Sequence, residues 1–189
     1  MNNDVLISIF TLNVSEFIES LFLDLKKYEL LNYSIICLNN NSSDDTVNVI
    51  SNLKKKMDIK NLEVISHSQN MGYGYNKKVS FDYAIKNNFK KIIFIHGDNQ
   101  YPASGIDEML RLLEKHSLVY GSRFLDADSV KENMPKLKYF ANPFFTKIIN
   151  FVSGKNYSEY FSGFRGYRVE ELTKINYDNL SNNFVLDQQ

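Results

Sequence analysis

Short apolar runs and longer amphipathic stretches alternate along the chain. "DVLISIFTL" (4–12), "YSIICLN" (33–39), "LEVISH" (62–67) and "KKIIFIH" (90–96) are apolar and bounded by polar clusters, the pattern of buried strands. Between them, "VSEFIESLFLDLKKY" (14–28), a segment at about 43–57 and one from Gly74 to Asn88 read as helices. The Ser42-to-Asp45 spacing matches a capping box for the second of these. After Pro102 a helix is predicted to Lys115, then a fifth strand, "SLVYGSRF" (117–124). The alternation predicts an α/β fold, a mostly parallel sheet with helices on both faces. Such sheets bind ligands beyond the carboxyl ends of their strands. Polar clusters fall at those ends: Asn39–Asn41, Asn70–Gly74 and His96–Gln100.

From 125 to 136 the chain is polar and predicted to be a loop. "ANPFFTKIINFVSG" then reads as a helix with Asn142 as N-cap, Pro143 at the first helical position and Gly154 past the end. Phe144, Phe145, Ile148, Ile149 and Val152 recur at helical spacing, with Lys136, Lys138, Lys147 and Lys155 nearby. Two readings stay open: a surface facing lipid, or a helix packed on the sheet. No internal repeat or interdomain linker divides the chain.

Bulk composition narrows the partners. Twenty-two basic residues balance twenty-two acidic ones, so no global positive field recommends nucleic acid. Cys37 is the only cysteine, which rules out an intramolecular disulfide and makes a reducing compartment the default. Its apolar setting points to a buried thiol rather than a nucleophile. No apolar run approaches the roughly 20 residues that span a bilayer. The N-terminus lacks the layout of a secretory signal, so a soluble chain, at most seated on a membrane surface, is expected.

The chemistry gathers in "HGDNQYP". If the strand persists past His96, period-two alternation puts His96, Asp98 and Gln100 on one face, and Gly97 lets a ligand approach the backbone. Imidazole, carboxylate and amide oxygen make a partial shell for Mg²⁺ or Mn²⁺, with diphosphate oxygens completing it. The alternative is a polar loop in which Asp98 or Asn99 caps the next helix. Gly72 and Gly74 precede a helix, where bare amides meet a phosphate or ribose, unless they form an ordinary glycine turn. Arg123, past the fifth strand, can neutralise a phosphate. "SGFRGYR" adds Arg165 and Arg168.

In their order these segments resemble glycosyltransferase family 2, of the GT-A fold, and within it the dolichol-phosphate mannosyltransferase-like or polyprenyl-phosphate glycosyltransferase branch. "ISIFTLN" is similar to the family's opening strand through Thr11 and Asn13, with Phe10 in place of a proline. "CLNNNSSDDT" resembles the nucleotide-binding segment: Asn39 and Asn40 stand for two aspartates, Asn41 for a glycine, and Asp44 matches a later aspartate. "NMGYGYN" resembles the N-x-G-x-G turn through Asn70, Gly72 and Gly74. "HGDNQYP" resembles the metal segment D-x-D-x-Q-x-P, with Asp98, Gln100 and Pro102 retained and His96 in place of the first aspartate. "YGSRF" and "FSGFRGYR" resemble the GSR and SGFR segments.

The resemblance implies one domain over 1–189, with a nucleotide-sugar half (1–124) and an acceptor half (125–189) that stops short of the family's last helix and strand. It implies a nucleotide-diphosphate sugar donor, Mg²⁺ or Mn²⁺ on the diphosphate, and transfer with inversion. Thr11, Asn13, Asn39, Asn41, Asp44, Asn70, Gly72, Gly74, Gly97 and Asp98 would bind the donor. His96, Asp98 and Gln100 would hold the metal, and Arg123 and Arg165 would face the leaving diphosphate. A neutral His96 ligand would weaken metal affinity at low pH. A polyprenyl-phosphate acceptor needs no base and would be held by Lys136, Lys138, Ser162 and Arg165; a growing surface glycan would need one, Asp187 by position or, more weakly, Glu159. The expected place of work is the cytoplasm, at the inner face of a membrane. Two other readings are a catalytically impaired nucleotide-sugar-binding or interaction protein of the same fold, and a different nucleotide-binding α/β enzyme such as a sugar nucleotidyltransferase.

Overall fold

The structure is a computed structural model that describes residues 2–125 and 136–188. In chain order it runs β1 (Asn2–Thr11), α1 (Ile18–Lys27), β2 (Tyr33–Asn39), α2 (Thr46–Lys56), β3 (Leu62–Ser66), α3 (Tyr73–Lys86), β4 (Lys91–His96) and α4 (Gly105–Leu112). It continues with β5 (Leu118–Tyr120), α5 (Lys136–Ser153), β6 (Arg165–Arg168) and α6 (Val169–Leu172). One six-stranded sheet has the order β3-β2-β1-β4-β6-β5. β3, β2, β1 and β4 are parallel; β6 runs antiparallel to both β4 and β5. The predicted mostly parallel α/β sheet is therefore present.

Period two along the strands builds two cores. Val5, Ile7 and Ile9 of β1, with Ile35, Cys37, Ile93 and Ile95, face α1, α2 and α4. Leu6, Phe10, Ile36, Leu38, Ile92 and Phe94 face α3 and α6 on the opposite side. Each such side chain, fully buried, is worth roughly 1.5–3 kcal/mol. Ser8 alternates onto the second face, where its hydroxyl meets that of Ser80 at 2.8 Å. Cys37 is fully buried, and burial pushes its thiol up, away from the reactive thiolate.

Three local expectations change. The capping box is not formed: Asp45 is the N-cap of α2 without a side-chain bond, and Ser42 Oγ instead accepts the Asn13 N–H at 3.0 Å. β5 stops at Tyr120, because the Arg123 N–H turns away to Glu159 Oε2 at 2.8 Å. α5 begins at Lys136, so Pro143 lies inside it and Asn142 is not a cap; good helix formers such as Leu137 and Ala141 extend the helix backwards. Gly154 does follow its end, with φ +66°.

The connection order sets the site. The chain moves outward from β1 to β2 and β3, then returns to place β4 on the other side of β1. This reversal makes a topological switch point at the carboxyl ends of β1 and β4, the position where open α/β sheets receive ligands.

Candidate functional site

At the end of β1, Thr11 is buried and its hydroxyl donates to the Leu38 carbonyl at 3.1 Å. Asn13 follows in the left-handed region, φ +53°, and its Oδ1 accepts the Ser43 N–H at 2.8 Å. Asn41, φ +64°, makes the matching turn after β2. Asp44 ties the two loops: its carboxylate accepts the Ser15 N–H at 3.0 Å, the Thr46 N–H at 3.1 Å and the Thr46 hydroxyl at 2.6 Å. Burial pushes its acidity the other way, but these hydrogen bonds outweigh it and bring the carboxyl down to about 2.

A network of amides joins the ends of β2 and β3. Asn39 Oδ1 accepts the Ser42 N–H at 3.0 Å, and its Nδ2 donates to Ser66 Oγ at 3.3 Å. Asn40 Nδ2 donates to Asn70 Oδ1 at 2.7 Å, and Asn40 Oδ1 accepts the Met71 N–H at 2.8 Å. Asn70 Oδ1 also takes the Gly72 N–H at 3.0 Å. Asn40 and Asn70 thus use amides that donate and accept at once, Asn40 Nδ2 donating to Asn70 Oδ1 and both oxygens accepting from backbone N–H groups, and they hold the glycine turn in place.

That turn is not bare. Gly72, at φ +92°, starts α3. A Cβ there would lie 2.4 Å from the Asn182 carbonyl oxygen, and one on Gly74 would lie 2.4 Å from that of Ser181. The Tyr75 N–H donates to Asn182 O at 3.1 Å. In this conformation the space beside both glycines belongs to the segment around Ser181–Asn183. Gly97 has a similar reason for its size: a Cβ would meet Val14, Thr11 and Ile18 side chains at 2.9–3.2 Å. Packing against α1 and the end of β1, not open access, occupies that side of the backbone.

β4 ends at His96, and the chain turns rather than continuing extended. The Asn99 N–H bonds the His96 carbonyl at 3.3 Å, with Asn99 at φ +55°. Period-two alternation therefore does not extend over His96, Asp98 and Gln100. Asp98 is half-buried and accepts the Gln100 N–H at 3.3 Å, while the Gln100 side chain is exposed. Asn99 reaches back to Ser20 and Asp24, and Ser104 is the N-cap of α4, so neither Asp98 nor Asn99 caps that helix.

His96 sits among the rings of Phe10, Tyr73 and Tyr101, with centroids 5.5–5.9 Å away. Among the described residues its buried Nε2 has no hydrogen-bond partner. A Cβ on Gly163 would stand 2.6 Å from that nitrogen. Burial lowers the imidazole's proton affinity, against the pull of the Asp98 charge, which favours the neutral ring. No group of three or more His, Cys, Asp or Glu side chains that could hold a metal ion occurs among the described residues.

The predicted arginines are engaged. Arg123 Nε donates to Glu159 Oε1 at 3.0 Å, its NH2 pairs with the same oxygen, and Glu159 is fully buried. Arg165, on β6, gives Nε to the Ser162 carbonyl at 2.9 Å, NH2 to that of Tyr160 at 2.8 Å and NH1 to that of Asp187 at 3.1 Å. The Ser162 hydroxyl is buried and accepts the Phe164 N–H at 3.3 Å. Asp187 accepts the Tyr73 hydroxyl at 2.8 Å and pairs with Lys77. The side chains of Lys136 and Lys138 lie outside the described residues.

Lys77 and Lys78 carry contacts that the sequence reading missed. The Lys77 ammonium is fully buried over the rings of Phe94, Tyr167 and Tyr73, at 4.9–5.7 Å. Lys78 Nζ holds the Asp178 and Leu180 carbonyls and Asn182 Oδ1 at 2.6–2.9 Å. Adjacent lysines between Tyr73 and Phe81, the aromatic anchors of α3, were the available signal.

Solved structures share this architecture at low sequence identity. Glucosyl-3-phosphoglycerate synthase from Mycobacterium tuberculosis, in complex with Mn²⁺, uridine-diphosphate and phosphoglyceric acid, superposes with a TM-score of 0.72 at 16% identity, over 98% of this chain and 62% of that one. Mannosyltransferase PcManGT from Pyrobaculum calidifontis, in complex with GDP-Man and Mn²⁺, gives 0.64 at 11% identity, over 97% and 50%. S. aureus TarS 1–349, in complex with UDP-GlcNAc, gives 0.58 at 15% identity, over 90% and 47%. The chain thus spans about half to three fifths of their lengths. No curated protein matches it by sequence. The sequence model described as "Glycosyl transferase family 2" matches residues 6–175, across both the strand-end loops and the β4–β6 pairing just described, and the chain belongs to that family.

Proposed function

We propose that the chain transfers a sugar from a nucleotide-diphosphate sugar to an acceptor, with inversion, using a divalent cation on the donor diphosphate. The observation that carries this reading is Asp98, half-buried two residues beyond the end of β4, where the Gly97 N–H to Phe10 carbonyl bond of 2.9 Å ties the chain to β1. A carboxylate at that switch point is where a donor's cation would sit.

The donor atoms suit a hard cation in part. Asp98 and Gln100 offer the oxygen ligands that Mg²⁺ and Mn²⁺ take. His96 offers a neutral nitrogen, but its ring is enclosed, so Asp98 is the principal anchor and His96 shapes the wall behind it. Bound there, the cation would supply the positive charge that a departing nucleoside diphosphate requires. Thr11, Asn13 and Asp44 hold the two loops that would flank the nucleotide. Asn39, Asn40 and Asn70 fix the floor between them. Arg123 and Arg165 stand nearby with their hydrogen bonds already committed and their charges balanced by Glu159 and Asp187. The acceptor is a polyprenyl phosphate or a growing surface glycan, and the work takes place at the inner face of a membrane.

A second reading has a specific observation behind it. Asp187 and Arg123, the groups best suited to act as base and as leaving-group partner, are each neutralised by a buried counter-charge. This favours a protein that binds the donor without turning it over. Incubation with a panel of nucleotide sugars and Mn²⁺, following nucleoside diphosphate release with and without lipid phosphate, separates the two. Metal-dependent release lost in Asp98→Ala supports the enzyme; donor binding without release supports the binding protein.

A further inference from the structure

α5 turns its phenylalanines outward. Phe140, Phe144, Phe145, Lys147, Ile148, Phe151, Val152 and Ser153 are exposed, whereas Thr146 is buried and Asn142 and Asn150 are partly covered together with Ala141, Pro143 and Ile149. A helix covering a core in water does the reverse. Phe140, Phe144, Phe151 and Val152 are 71%, 61%, 89% and 79% exposed, and no residue of α5 enters either core cluster. At 100° per residue, Phe140, Phe144, Lys147, Ile148 and Phe151 fall within an arc of about 100°. They make one stripe.

The charge around the stripe is one-sided. From Asn133 to Ser158 the sequence holds Lys136, Lys138, Lys147 and Lys155 and no Asp or Glu, in a chain whose 22 cations and 22 anions balance overall. Two copies meeting through this face would bring lysines against lysines, which a self-complementary interface avoids. An anionic surface would gain from the exposed Lys147 and Lys155. α5 has 18 residues, and no helix among the described residues is long and apolar enough to cross a membrane. Its geometry is that of a helix lying in a headgroup layer, phenylalanines down and lysines at the phosphates.

We propose that α5 docks this molecule, lying flat, on an anionic lipid bilayer. The inference stands on the helix alone and not on the transfer reaction.

The chain has no tryptophan, so Phe151→Trp installs a single reporter on the stripe. Its emission should shift to the blue with phosphatidylcholine–phosphatidylglycerol vesicles and stay unshifted with phosphatidylcholine alone. In co-sedimentation, Phe144→Asp with Phe151→Asp should cut partitioning at least about tenfold. Lys147→Gln and Lys155→Gln should each cost about fivefold at low salt and less at high salt. All these side chains are exposed, so melting curves should match the wild type; should the double variant melt early, Phe140→Ser serves in its place. Absence of a blue shift, vesicle binding by the phenylalanine variants equal to wild type, or a dimer in light scattering that the same variants break would overturn the proposal.

Discussion

The hydroxyl of Tyr73 donates a 2.8 Å hydrogen bond to Oδ2 of Asp187, 114 positions further along the chain. Lys77, one helical turn after Tyr73, pairs with the other carboxylate oxygen, and Arg165 Nε lies 3.4 Å from Oδ2. One buried carboxylate thus serves a phenol and two cations. In this arrangement Asp187 is the clasp that joins Phe184–Gln188 to α3 and β6.

Removing Asp187 leaves the Lys77 charge beneath three aromatic rings without its carboxylate. Removing Lys77 leaves the buried Asp187 with Arg165 at 3.4 Å in its place. Lys77→Met or Asp187→Asn is expected to destabilise the fold by about 3–5 kcal/mol. The double variant should cost clearly less than the sum of the two, because neither charge is then left unpaired. Urea denaturation of the four proteins measures the coupling; strict additivity would show that the pair contributes nothing.

The glycine turn should respond to a single methyl group. Gly74→Ala sets a Cβ 2.4 Å from the Ser181 carbonyl oxygen, a backbone atom with no rotamer to yield. The expected cost is about 1–3 kcal/mol, with faster amide exchange confined to the segment around Ser181–Asn183 and the first turn of α3. Exchange that rises evenly over the whole chain would contradict this.

Asp98→Ala tests the strand-end anchor. Nucleoside diphosphate release should fall by roughly a thousandfold, and Mn²⁺ affinity in the presence of nucleoside diphosphate should fall with it. The melting temperature should hardly change, since the hydrogen bond Asp98 makes among the described residues is a long one, to the Gln100 N–H at 3.3 Å. Full activity in Asp98→Ala would move the site elsewhere.

Asp44 gives a pH dependence with a definite sign. Its carboxyl lies at about 2 in the fold, below an ordinary aspartate near 3.9. A depressed carboxyl stabilises the fold fully above the unfolded value and loses that contribution as pH falls through the folded one. Asp44→Asn should therefore be less stable than wild type at pH 7, and the gap should close as the pH is lowered through about 4 to about 2. A gap that persists at the acid end would assign the loss to geometry instead of charge.

The strands β1, β2 and β4 were legible because each is apolar enough to be buried on both faces, and β3, at the sheet edge and only partly buried, because its apolar run is bounded by polar clusters; "YSIICLN" was read to the residue, Tyr33–Asn39. The location of the site was legible for the same reason, since polar residues end each run. β6 was not. "FRGYR" has the composition of a loop, and its pairing with β4, more than seventy residues away, and with β5, more than forty away, makes it a strand. Nor could spacing foresee that Arg165 and Arg123 would spend their donors on carbonyls and on Glu159, which are set by tertiary contact. The face of α5 was visible as a periodic stripe, but its outward direction was not, because periodicity carries no information on which side the protein lies.

Gly163 and His96 divide a single volume. The imidazole edge fills the place where any β-carbon at 163 would go, to within 2.6 Å. The missing side chain and the enlarged one are two halves of a single choice made across the gap between β4 and the approach to β6. Drift at either position is therefore constrained by its opposite number: a smaller residue at 96 must precede, or accompany, anything larger than hydrogen at 163.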